Sequence, residues 1–590
     1  MKLYKISLAL MLGIGTLTSC SDKLELSNPN QPTTGTFGNT IEDLEEAVIA
    51  CYHHTRMEGT YARVGYTLDC CRGDEVWNVA QSWGHLGADN LNASTIDDVV
   101  DMWIWRDWYY VINISNFVIT KCDEKEGETT QTLKRIKGQA LFTRALAYYN
   151  LANYYQNPAL ILDYKEYSTL DGLYASNWEE EGEPSYEQYD RVMDQVEADF
   201  SEAMSLLPSR DEGGEWAKGR YTKGAAAGFY ARSLMQRHKY DEALTVLKDI
   251  IKGTYGRYEL TKNYGDNFRE GSAYENNAES LFEVQFLDYG TQGSDDEWTP
   301  VNISKNASQG HAVESNYGPE NVGSWQDLSA APWLYHLFLG EKTTEGKLDP
   351  RLYWTIGTYE DDWEGFEYGN MCYQEKMTAD IPIVTNNVNK GLPIAKWTNF
   401  RTGLYNSIIV GLKCGINLRI MRYSDVLLRA AECENEVNGP TQQAIDWINE
   451  VRHRAKLADL ELADFNTKDK LFEQIANVER PKEFGCETGR GFDLIRWGFF
   501  YDSGRMDQLK MHGAYKLAAD IKDDIQYGQP GVSSTYTKYE DGHEYFPIYQ
   551  NYLDNNTNLR GNSANKNTNN STYFVKKGWI VHPVVDLSKK

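Results

Sequence analysis

Residues 422–457 pair two amphipathic helices across a forced turn, and no other stretch restricts the fold of this chain as much. In Arg422-Tyr423-Ser424-Asp425-Val426-Leu427-Leu428-Arg429-Ala430-Ala431-Glu432, the apolar positions recur at three-and-four spacing, which places them on one helix face. Asn438-Gly439-Pro440 ends that helix, since Gly accepts a left-handed backbone and Pro cannot extend the hydrogen-bond ladder. A second face follows in Ala444, Ile445, Ile448, Val451 and Ala455. Alanines where the helices would cross let the backbones approach, so the stretch predicts an antiparallel helical hairpin.

The same arithmetic applies earlier. From Lys223, Ala231 takes the small-residue position of the first helix of a 34-residue tetratricopeptide unit, and Ala243 takes that of the second. Leu247 and Ile250 fill the next apolar slots. Helical patterns also run from Ile41 to Met57, through Trp103, Trp105, Trp108 and Ile112 to Thr120, through Gln139 to Leu151, and from Tyr186 to Leu207. The two hairpins lie far apart in the chain, so the sequence does not predict a continuous solenoid. Between Thr254 and Lys413 the pattern changes to Gly, Asn, Asp and aromatic residues with short strand-like runs such as Leu281 to Phe286. Long irregular segments inside a folded domain commonly carry function.

Charge limits the partners. The 590 residues carry a formal charge of −27, and no basic stripe exists to neutralise nucleic-acid phosphates. An acidic surface also disfavours peripheral binding to anionic lipid and suits a neutral ligand. The 16 Trp and 40 Tyr exceed what a core of this size requires, so some rings are expected on display. Cys51, Cys70, Cys71, Cys122, Cys372, Cys414, Cys433 and Cys486 form neither a CxxC pair nor a Cys/His cluster; they read as small buried hydrophobes.

The N-terminus gives an address. Lys2 and Lys5 precede an apolar run from Ile6 to Leu17, too short to span a bilayer and right for a signal-peptide core. Leu17-Thr18-Ser19-Cys20 resembles the lipobox of bacterial lipoproteins, which makes residues 1–19 a removable signal and Cys20 the lipidated new N-terminus. Ser21-Asp22-Lys23 partly matches the surface-export signal of Bacteroidetes lipoproteins, with Lys23 as the departure. Residues 20–39 read as a polar spacer, 40–253 as an N-terminal helical region, and 254–590 as a C-terminal region forming one compact unit with it.

Taken in order, these pieces resemble the SusD/RagB family. The resemblance rests on the Leu17–Cys20 lipobox, the Ala140–Tyr155 helix followed by Pro158, and Gly219-Arg220-Tyr221-Thr222-Lys223-Gly224-Ala225-Ala226. It continues through Leu348-Asp349-Pro350-Arg351-Leu352, the Arg422–Glu432 stretch, and Asn449-Glu450-Val451-Arg452-His453-Arg454-Ala455. Glu479-Arg480, Glu483-Phe484, Gly489-Arg490 and Asp493-Leu494-Ile495-Arg496-Trp497-Gly498 complete it. The family ends soon after a Pro-Ile-Pro segment; this chain has Phe546-Pro547-Ile548-Tyr549 and then an Asn-rich tail. The resemblance implies a mostly α fold with about four tetratricopeptide-like helix pairs and a loop-rich ligand face with short strands. It also implies an outer-membrane lipoprotein, facing the exterior, that captures oligosaccharides for a SusC-like TonB-dependent transporter without catalysis or a cofactor.

Glycans offer a CH-lined face to aromatic rings and a rim of hydroxyls to amides and charged groups. The resemblance places the ligand site on Trp77, Asn78, Gln81 and Trp83 and on Trp298, Tyr317, Trp325 and Gln326. Trp325 and Trp83 rank first because Gly323-Ser324 and Gly84 suggest exposed turns. Trp103, Trp105 and Trp108 are expected between helices. Glu479, Arg480, Glu483, Arg490, Asp493 and Arg496 alternate in sign at helical spacing, the pattern of structural ion pairs. His53-His54 and His311 lack companion metal ligands, and no EF-type loop supports a structural Ca²⁺. A surface glycoside hydrolase, which needs two carboxylates at set separation, and a peptide-binding or assembly scaffold of the transporter complex are the other readings.

Overall fold

A computed structural model describes residues 37–78, 98–125, 127, 130–165, 175–287, 310–318, 324–357, 392–398, 414–514, 539–565 and 573–588. Cys20, Cys372, Gln81, Trp83 and Trp298 lie outside the described residues.

The helices begin where sequence chemistry permits. Thr40 caps α1 (Ile41–His54) in a reciprocal box, its hydroxyl accepting from the Asp43 N–H at 3.1 Å while the Asp43 carboxylate accepts from the Thr40 N–H at 3.0 Å. The sequence pattern carries this helix on to Met57. It instead stops at His54, and one π turn (Glu58–Ala62) leads into α2 (Val64–Cys71). Then come α3 (Asp98–Asp123), α4 (Gln131–Tyr155) and α5 (Ser185–Leu206), which Leu207-Pro208 ends. The first hairpin is α6 (Lys223–Gln236) with α7 (Tyr240–Ile251). The second is α11 (Tyr423–Asn438) with α12 (Gln442–Arg454), once α8 (Val313–Tyr317), α9 (Pro332–Leu339) and α10 (Pro350–Thr355) have intervened. Gly439 follows α11 at φ 81°, the conformation that the turn requires.

Packing brings the separated hairpins together in space. Helix α3 lies on α4, α4 on α5, α5 on α6, α6 on α7, α7 on α11 and α11 on α12. The two hairpins are therefore neighbours, and the stack runs continuously in space although the chain leaves it between residues 252 and 422. Ala225, Ala226, Ala227, Ala231, Ala243, Ala430, Ala431 and Ala444 are all fully buried in it. The expected interior place of Trp105 and Trp108 is found, both buried, with Trp103 half-buried against the core.

The described residues of the irregular region hold more regular structure than its composition suggests. Strand β1 (Val76–Asn78) pairs antiparallel with β3 (Leu328–Ala330), and β2 (Ser280–Val284) pairs antiparallel with β4 (Leu418–Arg422). Helices α8, α9 and α10 also fall inside it. Strand β4 is absent from the sequence reading because Leu418-Arg419-Ile420-Met421-Arg422 runs straight into a helix with no turn residue between. Gly228 lets α6 meet this sheet: a Cβ there would sit 2.3 Å from Met421 Sδ. The C-terminal part adds α13 (Lys468–Gln474), α14 (Arg480–Phe484), α15 (Arg490–Arg496), α16 (Ser503–Ala514) and α17 (Tyr573–Lys577). The seven described cysteines are free and buried. No helix among the described residues is long and apolar enough to cross a membrane.

Candidate functional site

The charged motif residues do not line a cleft. Arg422 reaches Glu279 at 2.7 Å, Glu483 at 2.8 Å and Glu487 at 2.7 Å. Arg454 also holds Glu279 and Glu483, Arg351 pairs with Asp349 at 2.6 Å and Glu483 at 3.4 Å, and Lys396 closes on Glu487 at 2.9 Å. A second network joins Asp425 to Arg232, Arg429 and Arg480, and Asp493 to Arg429, Arg480 and Arg496; Arg496 and Trp497 Nε1 both donate to Glu432. All these residues are buried except Arg454, which is half-buried with its side chain covered. Burial opposes ionisation, but the surrounding guanidinium groups outweigh it: Glu279 is held down to about 2, and Asp493 and Glu483 are also lowered. These are structural ion pairs, as the alternating pattern predicts.

The two predicted ligand regions meet on one small sheet. Val76 faces Ala330, Trp77 faces Ser329 and Asn78 faces Leu328, so the end of β1 stands beside the turn that carries Trp325 and Gln326 into β3. The Ala331 N–H donates to the Glu75 carbonyl at 2.8 Å, and Trp333 Nε1 donates to the Asp74 carbonyl, fastening the sheet at its other end. The turn is held by the Ser315 carbonyl, which accepts the N–H of Trp325 at 2.6 Å and of Gln326 at 3.2 Å. Gln326 has φ 49°, a left-handed conformation costly for a non-glycine residue. Gly323, which signals the turn in the sequence, lies outside the described residues, and among those described the left-handed position of this turn is Gln326.

Side-chain placement separates the candidates. Trp325 is half-buried, with the Arg63 guanidinium 5.4 Å from its ring centroid. Arg63 itself is buried and ion-paired with Glu58, whose carboxyl burial raises to about 7 against the pull of Arg63. Asn78 is only 7% exposed, yet neither its amide nitrogen nor its amide oxygen has a hydrogen-bond partner among the described residues. Asn316 Oδ1 and Ser324 Oγ are likewise buried without partners, while Asn316 Nδ2 donates to Asp327 at 3.0 Å. Buried polar atoms without protein partners carry a desolvation cost that a hydrogen-bonding group would relieve.

Two predicted rings belong elsewhere. Tyr317 is fully buried, edge-on to Tyr66 at 6.5 Å, with its hydroxyl donating to the Cys486 carbonyl at 3.3 Å. Trp77 is in the main apolar core. Neither offers a face to solvent, because the strand and helix that carry them are covered on both sides. Gln326 is also buried. Arg63, Asn316 and Ser324 are the residues sequence reasoning missed; an Arg opening a short helix and scattered polar residues give no signal of convergence. Among the described residues no cluster of three His, Cys, Asp or Glu side chains could hold a metal ion. A groove of about 540 Å³ between α1 and β2, lined by Tyr52, Arg56, Arg220 and Phe282 among others, contains none of the predicted site residues.

A stacked helical body, braced by buried ion pairs and carrying a ring-and-amide corner on a short sheet, defines a class of helical binding scaffold. The chain belongs to the SusD/RagB family: the model described as "SusD family" matches residues 278–567, and that described as "Starch-binding associating with outer membrane" matches residues 24–235. SusD-like protein P25 of Formosa agariphila is 25% identical over 528 residues, spanning 85% of this chain and 91% of that protein. A SusD superfamily protein from Bacteroides vulgatus superposes with a TM-score of 0.66 at 24% identity, over 90% of this chain and 100% of that one. Surface glycan-binding protein A from Bacteroides thetaiotaomicron, solved in complex with laminarihexaose, superposes with a TM-score of 0.62 at 19% identity, over 88% of this chain and 99% of that one. These solved structures share the fold.

Proposed function

We propose that this protein captures oligosaccharides at the cell surface, without hydrolysing them, and hands them to a SusC-like TonB-dependent transporter, held to the outer membrane through a lipid on Cys20. The observation that carries the reading is the end of the β1–β3 sheet, where Asn78, whose amide has no partner among the described residues, pairs with Leu328, three residues after the half-buried Trp325 ring that Arg63 backs. A ring offers a stacking face to a pyranose, and an amide offers one donor pair and one acceptor to its hydroxyls. Gln81, Trp83 and Trp298 complete the proposed platform. The solved relative that holds laminarihexaose supports a glycan as the ligand class.

Calorimetry on soluble protein starting at residue 21 tests this, with laminarihexaose and a panel of other oligosaccharides. Binding that Trp325→Ala and Asn78→Ala each weaken by about 1–3 kcal/mol supports the corner; wild-type binding unchanged in both variants contradicts it. Chromatography of the same mixtures after incubation tests the hydrolase reading, which predicts shortened products.

A further inference from the structure

The Asn-rich tail, which the sequence leaves without a role, ends in a segment that lies beyond the matched family region ending at residue 567. This segment clasps the helical stack at three places. At α5, the Tyr573 hydroxyl donates to one Asp190 oxygen at 2.6 Å and Lys577 Nζ reaches the other at 2.7 Å. Next, Trp579 stacks on His238, in the turn between α6 and α7, at 3.6 Å and 7°. Last, His582 stacks on Phe472 of α13 at 4.2 Å and 17°. Arg505 of α16 donates to the His582 carbonyl at 2.8 Å and the Pro583 carbonyl at 3.0 Å. Tyr573 and Phe574 are buried, and Tyr573 belongs to the main core, so α17 roots the segment. Beyond them the chain is exposed or half-buried, with Ile580 88% exposed, so the part that follows α17 lies on the surface.

The His582 ring carries the argument. Its Nδ1 lies 2.6 Å from Asp469 Oδ1 and its Nε2 lies 2.6 Å from Glu436 Oε1. A neutral imidazole has one N–H and could serve one carboxylate, leaving a lone pair against the other; only the imidazolium donates to both. We propose that residues 578–588 are a detachable strap rooted in the buried start of α17, docked across the two hairpins while His582 is protonated and released when it loses that proton.

The other groups around it agree. Glu436 and Asp469 are the acids that face it. Arg505, itself paired with Glu473, touches only its backbone, and Lys468 holds the Glu436 carbonyl rather than its carboxylate. His238 is pushed down to about 4 by burial, so it adds no competing charge near neutrality. Burial alone would lower His582, but the two carboxylates raise it above its ordinary 6.5. Docking energy from this contact is therefore full below about pH 6.5 and is lost as pH rises through the raised value.

Amide hydrogen exchange of the soluble chain, corrected for intrinsic rates and read between pH 5.5 and 9, tests the strap. Protection of residues 578–588 should fall with rising pH, about ten-fold for each unit by which the docked value exceeds the detached one, while α11 stays protected. His582→Gln should abolish the pH dependence. Trp579→Ala should lower protection at every pH yet keep the slope. Flat protection in the wild type, or an unchanged slope in His582→Gln, overturns the proposal.

Discussion

Glu483 shows how single residues hold this fold together. Its carboxylate faces Arg422, Arg454 and Arg351 in a site without solvent. Glu483→Gln would leave three guanidinium groups short of charge, a loss of about 3–5 kcal/mol expected from breaking a buried pair, measurable by denaturant unfolding. The same chemistry sets the acid response. Glu279 is held down to about 2, from an ordinary 4.5, so its contribution is complete above pH 4.5 and disappears as pH falls toward 2. Thermal unfolding should shift downward across that interval, and less steeply in Glu279→Gln. The ion-pair role of these residues was legible from alternating charge; their depth was not, since nothing in Arg422 or Glu483 alone reveals that neither touches water. The rings posed the same problem. Trp77 and Tyr317 have the composition of a display surface and sit in the core, because exposure depends on partners hundreds of residues away.

At the scale of elements, the helical hairpins were the most readable part. The small residues at 231, 243, 431 and 444 mark where helices cross, and all four are fully buried. Ala431→Leu should over-pack this crossing and cost about 1–3 kcal/mol in unfolding free energy, with helical circular dichroism retained. Strand β4 was hidden because it abuts α11, and the neighbouring arrangement of α7 and α11 was hidden because no local pattern encodes a packing partner across so long an excursion. The sheet that joins the Asn78 and Trp325 segments likewise depends on two three-residue strands, too short to leave a periodic trace. For the strap, Trp579 and His582 carry no sequence signal of the turns they clasp.

For the whole molecule, the account separates body, address and ligand face. The helical stack and its charge networks form the body. The address rests on Cys20: Cys20→Ala should move the protein from the membrane fraction into the soluble fraction, and continued anchoring would contradict the lipobox reading. The proposed ligand face rests on two distant segments joined at β1 and β3. Its most direct test is calorimetric titration of soluble wild-type protein and of Trp325→Ala with a binding oligosaccharide found by panel screening. The account predicts measurable wild-type affinity that falls at least about ten-fold in the variant, near 1.4 kcal/mol, with its unfolding transition unchanged. Equal affinity in the two proteins would place the glycan somewhere other than the Trp325 corner.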